Sequence, residues 1–435
     1  MNKNATITGS SRWTPIYLSI IIGICFFYHF ISGMSSNLVF AVLLTFMTMA
    51  YAFSRGLEYY LNIYSFVWLA VIIIIVGNYI FRYRDGSSLS DLIMVSNCFL
   101  LVLFASTDVQ DYRMVLNMIK VLAVFFALTV FLEAFTPSLY QMVSRLFPQK
   151  LQSTFFLSGG NGRGFKGLSP NVGFTAGYIV AGILAFFADK AERGHSNVKD
   201  KLLIVTLFIA LLYTAKRGPT IFLIISLITV HLFSSEKNEQ YRIIRRVVIA
   251  LAVIAFIIVG VGLSFSSIPF LSSIGNTFNT LQSGGDVSTG RLGMYELAWQ
   301  LFISNPLFGI GWEKYAIVLS IIKNMTKLQT HNVYLQILCE TGIVGFLVLA
   351  VLFVIFWRLA KDEYASIMKK QDNSLSLWKP LLFFSLAYQT FFLLYCLTGN
   401  PLYDVYFVIM YGFSCAIPLA YRYTTAKGLL SNRDS

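Results

Sequence analysis

Apolar runs recur along this chain from Pro15 to Tyr421, each close to the length that carries a helix through a bilayer. About 20 residues are needed to cross the hydrocarbon core, and backbone polar groups must be satisfied internally there. That repetition sets the class: an all-α, polytopic membrane protein. Twelve candidate spans lie near 15–31, 37–53, 63–80, 91–106, 116–136, 172–188, 202–215, 218–234, 247–267, 332–357, 380–398 and 403–421. Unbroken runs such as Phe66 to Val76 argue against a barrel, whose segments of about 10 residues alternate apolar and polar positions. A composition of 57% hydrophobic and 12% charged residues agrees, being far from the soluble range.

Lys and Arg accumulate on the cytoplasmic side of membrane helices, which orients the spans. With the N-terminus inside, most of these residues fall in inside segments, and the short outside loops keep only Arg82, Arg84, Lys216 and Arg217. Both termini are therefore expected in the cytoplasm. The two long loops, 137–171 and 268–330, are expected outside, the second lying between spans nine and ten of a single integral-membrane domain, residues 1–435. Met1 to Arg12 is too polar and weakly charged for a cleavable signal, so the first span is expected to remain. The formal charge of +13 lies mostly inside and suits anionic lipid head groups, with no nucleic-acid partner implied. Five cysteines, Cys25, Cys98, Cys339, Cys396 and Cys415, fall within spans without metal-ligand spacing and read as buried thiols.

Basic residues left outside against this bias call for an anionic ligand or a lipid surface. Three groups stand out. The stretch LSGGNGRGFKGLSPNVG sets Arg163 and Lys166 among glycines, which let backbone N–H groups approach a phosphate; a plain surface loop would look similar. Lys216 and Arg217 precede Gly218-Pro219 at a tight turn between two apolar helices, where an arginine either snorkels or faces a polar cavity. Arg291 opens a segment expected to form an amphipathic helix on the membrane surface, ended by Asn305-Pro306 and the turn Gly309-Ile310-Gly311.

His331 stands at the entrance to the apolar run Val333 to Trp357, with Asn332 able to cap it. Histidine exchanges protons near neutrality, although a lone one is more often interfacial than catalytic. His29, His195 and His231 lie in apolar spans or on the cytoplasmic side. Glu340 falls inside the expected tenth span, where a carboxylate is costly unless paired or functional. Metal-binding, nucleotide-binding and nucleophile-elbow motifs are absent from the sequence.

In NPLFGIG (305–311), HNVYLQILCETGIVG (331–345), the TGR that ends at Arg291, KRG at 216–218 and, more weakly, RGFKGLSPN (163–171), the chain resembles the O-antigen ligase and polymerase superfamily of bacterial envelope polysaccharide assembly. The resemblance covers most of residues 160–357. It implies a multi-pass protein of the bacterial cytoplasmic (inner) membrane that acts on glycans carried by undecaprenyl diphosphate, with no cofactor, metal or nucleotide sugar. Arg217 and Arg291 would hold the diphosphate, and His331 would take the proton from the incoming sugar hydroxyl. Arg163, Lys166 and Lys216 would extend the anion site, with Asn332 and Glu340 beside it. A polymerase would use another lipid-linked repeat as acceptor, a ligase the lipid A core sugar; polymerases, the more numerous members, are the first expectation. Other polysaccharide-assembly proteins are implied partners. A transporter of an anionic or lipid-linked solute is the alternative from another class. Against it, the two halves of the chain show no internal repeat and intramembrane acids are few.

Overall fold

The computed structural model describes residues 12–28, 30–31, 37–59, 61–81, 86–149, 151–152, 164–193, 197–234, 269–284, 290–323, 328–369 and 373–431. Within them the regular structure is entirely helical. The helices are α1 (Thr14–Phe26), α2 (Asn37–Ser54), α3 (Ile63–Phe81), α4 (Gly86–Leu103), α5 (Val109–Phe135), α6 (Pro137–Ser144), α7 (Val172–Arg193), α8 (Val198–Tyr213) and α9 (Arg217–Ser234). After them come α10 (Pro269–Gln282), α11 (Arg291–Ser304), α12 (Lys314–Lys323), α13 (Val333–Lys369), α14 (Lys379–Tyr395) and α15 (Val405–Ser431), with short 3-10 turns at Asn373–Trp378 and Pro401–Tyr403.

Six of the described helices are long and apolar enough to cross a membrane: Ile63–Phe81, Val109–Phe135, Val172–Ala191, Val333–Lys369, Ser376–Tyr395 and Val405–Ala426. Four shorter apolar helices accompany them. The expected span 247–267 lies outside the described residues. Side-chain chemistry starts the long elements where the sequence allows it: Asp108 accepts from the Gln110 N–H at 2.9 Å to open α5, and Asn171 accepts from Gly173 and Phe174 at 2.7 and 3.1 Å to open α7.

Burial sorts the bundle into centre and rim. Of the apolar window in Val405–Ala426, 94% is buried inside the protein, against 28% for Ile63–Phe81. α15 is thus central and α3 peripheral, turning Phe66 and Ile73 outward. Rings of Phe26, Phe126, Tyr178 and Tyr406 meet at 4.5–4.7 Å and tie α1, α5, α7 and α15 together. All five cysteines are buried free thiols.

Residues 332–357 form no single straight span, which corrects the sequence expectation. Gly342 takes φ 66 and ψ −169 and breaks α13 into two arms. The Tyr334 and Phe353 rings meet edge-on at 6.4 Å, whereas 19 residues of straight helix would set them about 28 Å apart. The first arm therefore folds back beside the second. Such a break orphans backbone groups that a helix would pair, and NPLFGIG supplies the missing partners. Ile310 and Gly311 donate to the Cys339 and Glu340 carbonyls at 3.0 and 2.9 Å, while Ile343 and Val344 donate to Pro306 and Leu307 at 2.9 and 3.3 Å. The fit is tight in both directions: a Cβ on Gly342 would overlap the Leu307 carbonyl, and one on Gly309, itself at φ 65, would overlap that of Glu340.

The two expected loops carry helices of their own, α6 in 137–171 and α10 to α12 in 268–330. The expected helix at Arg291 is present as Arg291–Ser304, with Asn305 at its C-terminal cap. It is apolar on two sides rather than one. Met294 and Ala298 join Tyr315, Leu319 and Cys339 in a small separate core, while Leu292, Trp299 and Ile303 are exposed. That second core fastens α11 and α12 onto the short arm of α13.

Candidate functional site

A cavity of about 770 Å³ opens between the N-terminal ends of α7 and α9, the start of α11, the turn before α13 and the α14–α15 connection. Lys216, Arg217, Arg291 and His331, four positions far apart in sequence, all line it.

Local sequence explains how each arrives. Ala215, at φ 55, ends α8 in a left-handed turn, so that Arg217 begins α9 with Pro219 two residues on, where a missing N–H costs nothing. Arg217 donates to the Thr277 hydroxyl, linking α9 to α10, and Ser273 of α10 also borders the cavity. Arg291 follows Gly290, whose φ of 83 turns the chain into α11. The turn at 214–216 is braced by Gly164 and Phe165: Phe165 donates to the Tyr213 carbonyl at 2.9 Å, and a Cβ on Gly164 would overlap the Thr214 carbonyl.

His331 is held in an uncommon conformation, φ 57, by a dense set of bonds. The Thr330 hydroxyl donates to the Asn332 carbonyl at 2.7 Å, and Val333 N–H reaches the Cys396 carbonyl at 2.8 Å. Below it, Gln336 accepts from the Thr330 N–H at 3.1 Å and donates to Glu340 at 3.1 Å. Glu340 is fully buried and also accepts from Glu313 N–H (2.9 Å), Tyr315 N–H (3.2 Å) and the Tyr403 hydroxyl (2.7 Å). A ladder of polar groups thus runs from the clasped loop to the histidine turn.

The electrostatics follow from burial and like charge. Desolvation, then Arg291, then Lys216, push the His331 imidazole down to about 4, so it is neutral at ordinary pH. Burial first and Arg291 second also lower Lys216. Cations crowded this way, with no ion pair to any described residue, raise one another's energy until an anion arrives.

Other expected site residues stand elsewhere. Lys166 is buried outside the cavity lining, lowered by desolvation and partly offset by Glu133, whose carboxylate accepts from the Lys166 and Gly167 N–H groups at 2.8 and 2.7 Å. Asn332 caps α13 through a 3.1 Å bond from Leu335 N–H and does not line the cavity, and neither does Glu340. Arg163 lies outside the described residues, although its neighbour Gly164 borders the cavity. Sequence reasoning did not single out Asn171, Tyr395, Asn400, Tyr403 or Asp404, which form much of the remaining wall. Asn171 ends the RGFKGLSPN stretch, but no motif marks the other four, because they join it only when α7, α14 and α15 pack.

Residues 202–350 match the family described as O-Antigen ligase. That match, over about a third of the chain, supports the likeness to the O-antigen ligase and polymerase superfamily read from the sequence. The matched segment holds Lys216, Arg217, Arg291 and His331 together with both clasped motifs. No curated protein matches the chain significantly. With its apolar helices, the family places it among integral membrane proteins.

Proposed function

We propose that this chain is a polysaccharide polymerase that moves a glycan from undecaprenyl diphosphate to a sugar hydroxyl at the outer face of the bacterial cytoplasmic membrane. The observation that carries the reading is the convergence of Lys216, Arg217, Arg291 and His331 on one cavity. Its topology keeps twelve spans, the tenth formed by the arm that follows the bend at Gly342, with both termini in the cytoplasm and with 137–171 and 268–330 outside.

Arginines at a helix start and a turn suit a diphosphate, because guanidinium groups bind its oxygens in pairs and the α9 N-terminus adds its partial positive charge. As the acceptor oxygen bonds to the anomeric carbon, the bond to the diphosphate oxygen breaks and its electron pair leaves with the diphosphate. Fixed cations stabilise that growing charge without needing to move. The acceptor's proton passes to neutral His331, whose basicity rises when the diphosphate enters and offsets Arg291 and Lys216. Attack from the side opposite the leaving group inverts the anomeric centre.

A second reading, an O-antigen ligase that delivers finished glycan to a lipid A core sugar, is favoured by the description of the matched family. Both use the same donor, and a deletion strain separates them. Single repeat units on the core, restored to long chains by the wild-type gene but not by His331→Ala, indicate the polymerase. Lipid-carried polymer that never reaches the core indicates the ligase. Normal polysaccharide in the deletion strain rules out both.

A further inference from the structure

Beside its cations the cavity is lined by a second set of residues, acidic and neutral polar ones. Asp404 faces it from the start of α15, and its carboxylate makes no hydrogen bond or ion pair with any other described residue. The backbone around it is fixed, since Asp404 N–H reaches Pro401 at 3.4 Å and its carbonyl accepts from Val408 at 3.1 Å. Tyr403 beside it is pinned by the Glu340 bond and by stacking on Trp312 at 5.0 Å. Close by in the chain, Asn400 lines the cavity with a side-chain oxygen that is buried and lacks a partner. Asn171, also lining it, spends its oxygen on capping α7, which leaves its amide nitrogen for the cavity. Tyr395 also lines the cavity, its hydroxyl near the start of α7: a Cβ on Gly173 would lie 3.2 Å from it.

We propose that Asp404, with Asn400 and Asn171, forms a subsite that binds the hydroxyl groups of the acceptor sugar. The inference rests on the reading of the cationic wall as the diphosphate site. A carboxylate in a cavity built for a diphosphate repels that ligand unless it meets a different, neutral group. Sugar hydroxyls are such a group, and a fixed carboxylate flanked by amides can accept and donate to adjacent hydroxyls at once. In-line displacement also requires the nucleophile to approach from the side away from the departing diphosphate, so the acceptor needs polar groups of its own in the cavity, and Asp404, Asn400 and Asn171 supply them.

The test uses the full chain in nanodiscs, with binding of sugar-free undecaprenyl diphosphate and transfer of lipid-linked glycan extracted from the deletion strain. Asp404→Asn is expected to bind undecaprenyl diphosphate within about twofold of wild type while transfer falls at least about tenfold. Asp404→Glu recovers part of the transfer, and the melting temperature of both variants stays at the wild-type value. Asn400→Ala supplies an independent variant, expected to raise the KM for glycan with undecaprenyl diphosphate binding retained. Wild-type transfer by Asp404→Asn overturns the subsite, as does loss of undecaprenyl diphosphate binding comparable to that of Arg291→Ala. Should wild type itself fail to bind undecaprenyl diphosphate, the diphosphate reading falls and the subsite with it.

Discussion

At residue 331 the backbone sits at φ 57, a region that asparagine and glycine enter more readily than other residues. His331→Asn therefore keeps the turn while removing the imidazole. It is expected to retain wild-type expression and melting temperature and to lose transfer by about 10²-fold or more, the usual contribution of a positioned proton acceptor. Retained transfer in a well-folded Asn variant would remove His331 from the chemistry. Protonation gives a second handle. Because burial, Arg291 and Lys216 hold the imidazole down at about 4, the acid limb of kcat/KM is expected near that value and not near 6.5. In the donor complex the diphosphate raises the imidazole again, so the limb of kcat lies at higher pH. Lys216→Met removes one of the depressing cations and should move the kcat/KM limb upward. A limb that stays in place shows that Lys216 does not act on His331.

Among the elements, the interlock of NPLFGIG with ETGIVG holds the site in register. Gly342→Ala combines an unfavourable left-handed conformation with backbone overlap at Leu307, at a cost of at least about 2 kcal/mol. Its melting temperature should fall well below that of Gly345→Ala, whose new methyl meets the Thr341 side chain rather than main chain. Equal melting temperatures would mean that the two segments do not depend on each other. Both motifs were visible in the sequence, as was the start of a helix at Arg291. Their pairing was not, because the apolar run Val333 to Trp357 continues through the break and a lone glycine within it looks like ordinary membrane helix. For the same reason Glu340 read as a carboxylate sunk in a span, although it ends the short arm and answers four donors.

For the whole molecule, the proposed topology makes a direct prediction. Since all five native thiols are buried, single introduced cysteines should react above a low background. Ser283→Cys, exposed after α10, is expected to react with a membrane-impermeant maleimide on intact cells, and Lys199→Cys, exposed at the start of α8, only after permeabilisation. The reverse pattern would turn the cavity toward the cytoplasm and end the proposal. Helical class was legible from hydropathy, and the candidate cations from their place outside the spans taken together with the family resemblance, since these are local properties of the chain. The second set of cavity residues was not. Asp404 is isolated in sequence, and only the packing of α15 at the centre of the bundle brings it into the cavity that Arg291 and His331 line.

The doubled-back α13 has a mechanical corollary. One continuous segment leads from the histidine turn, through the bend at Gly342, into an arm whose outer side exposes the apolar Leu347, Val351 and Val354. Helices answer a thicker or thinner bilayer by tilting, and a tilt of that arm would be carried to the imidazole through the bend. Turnover in vesicles should then depend on acyl-chain length, tying the chemistry to the dimensions of the membrane around it.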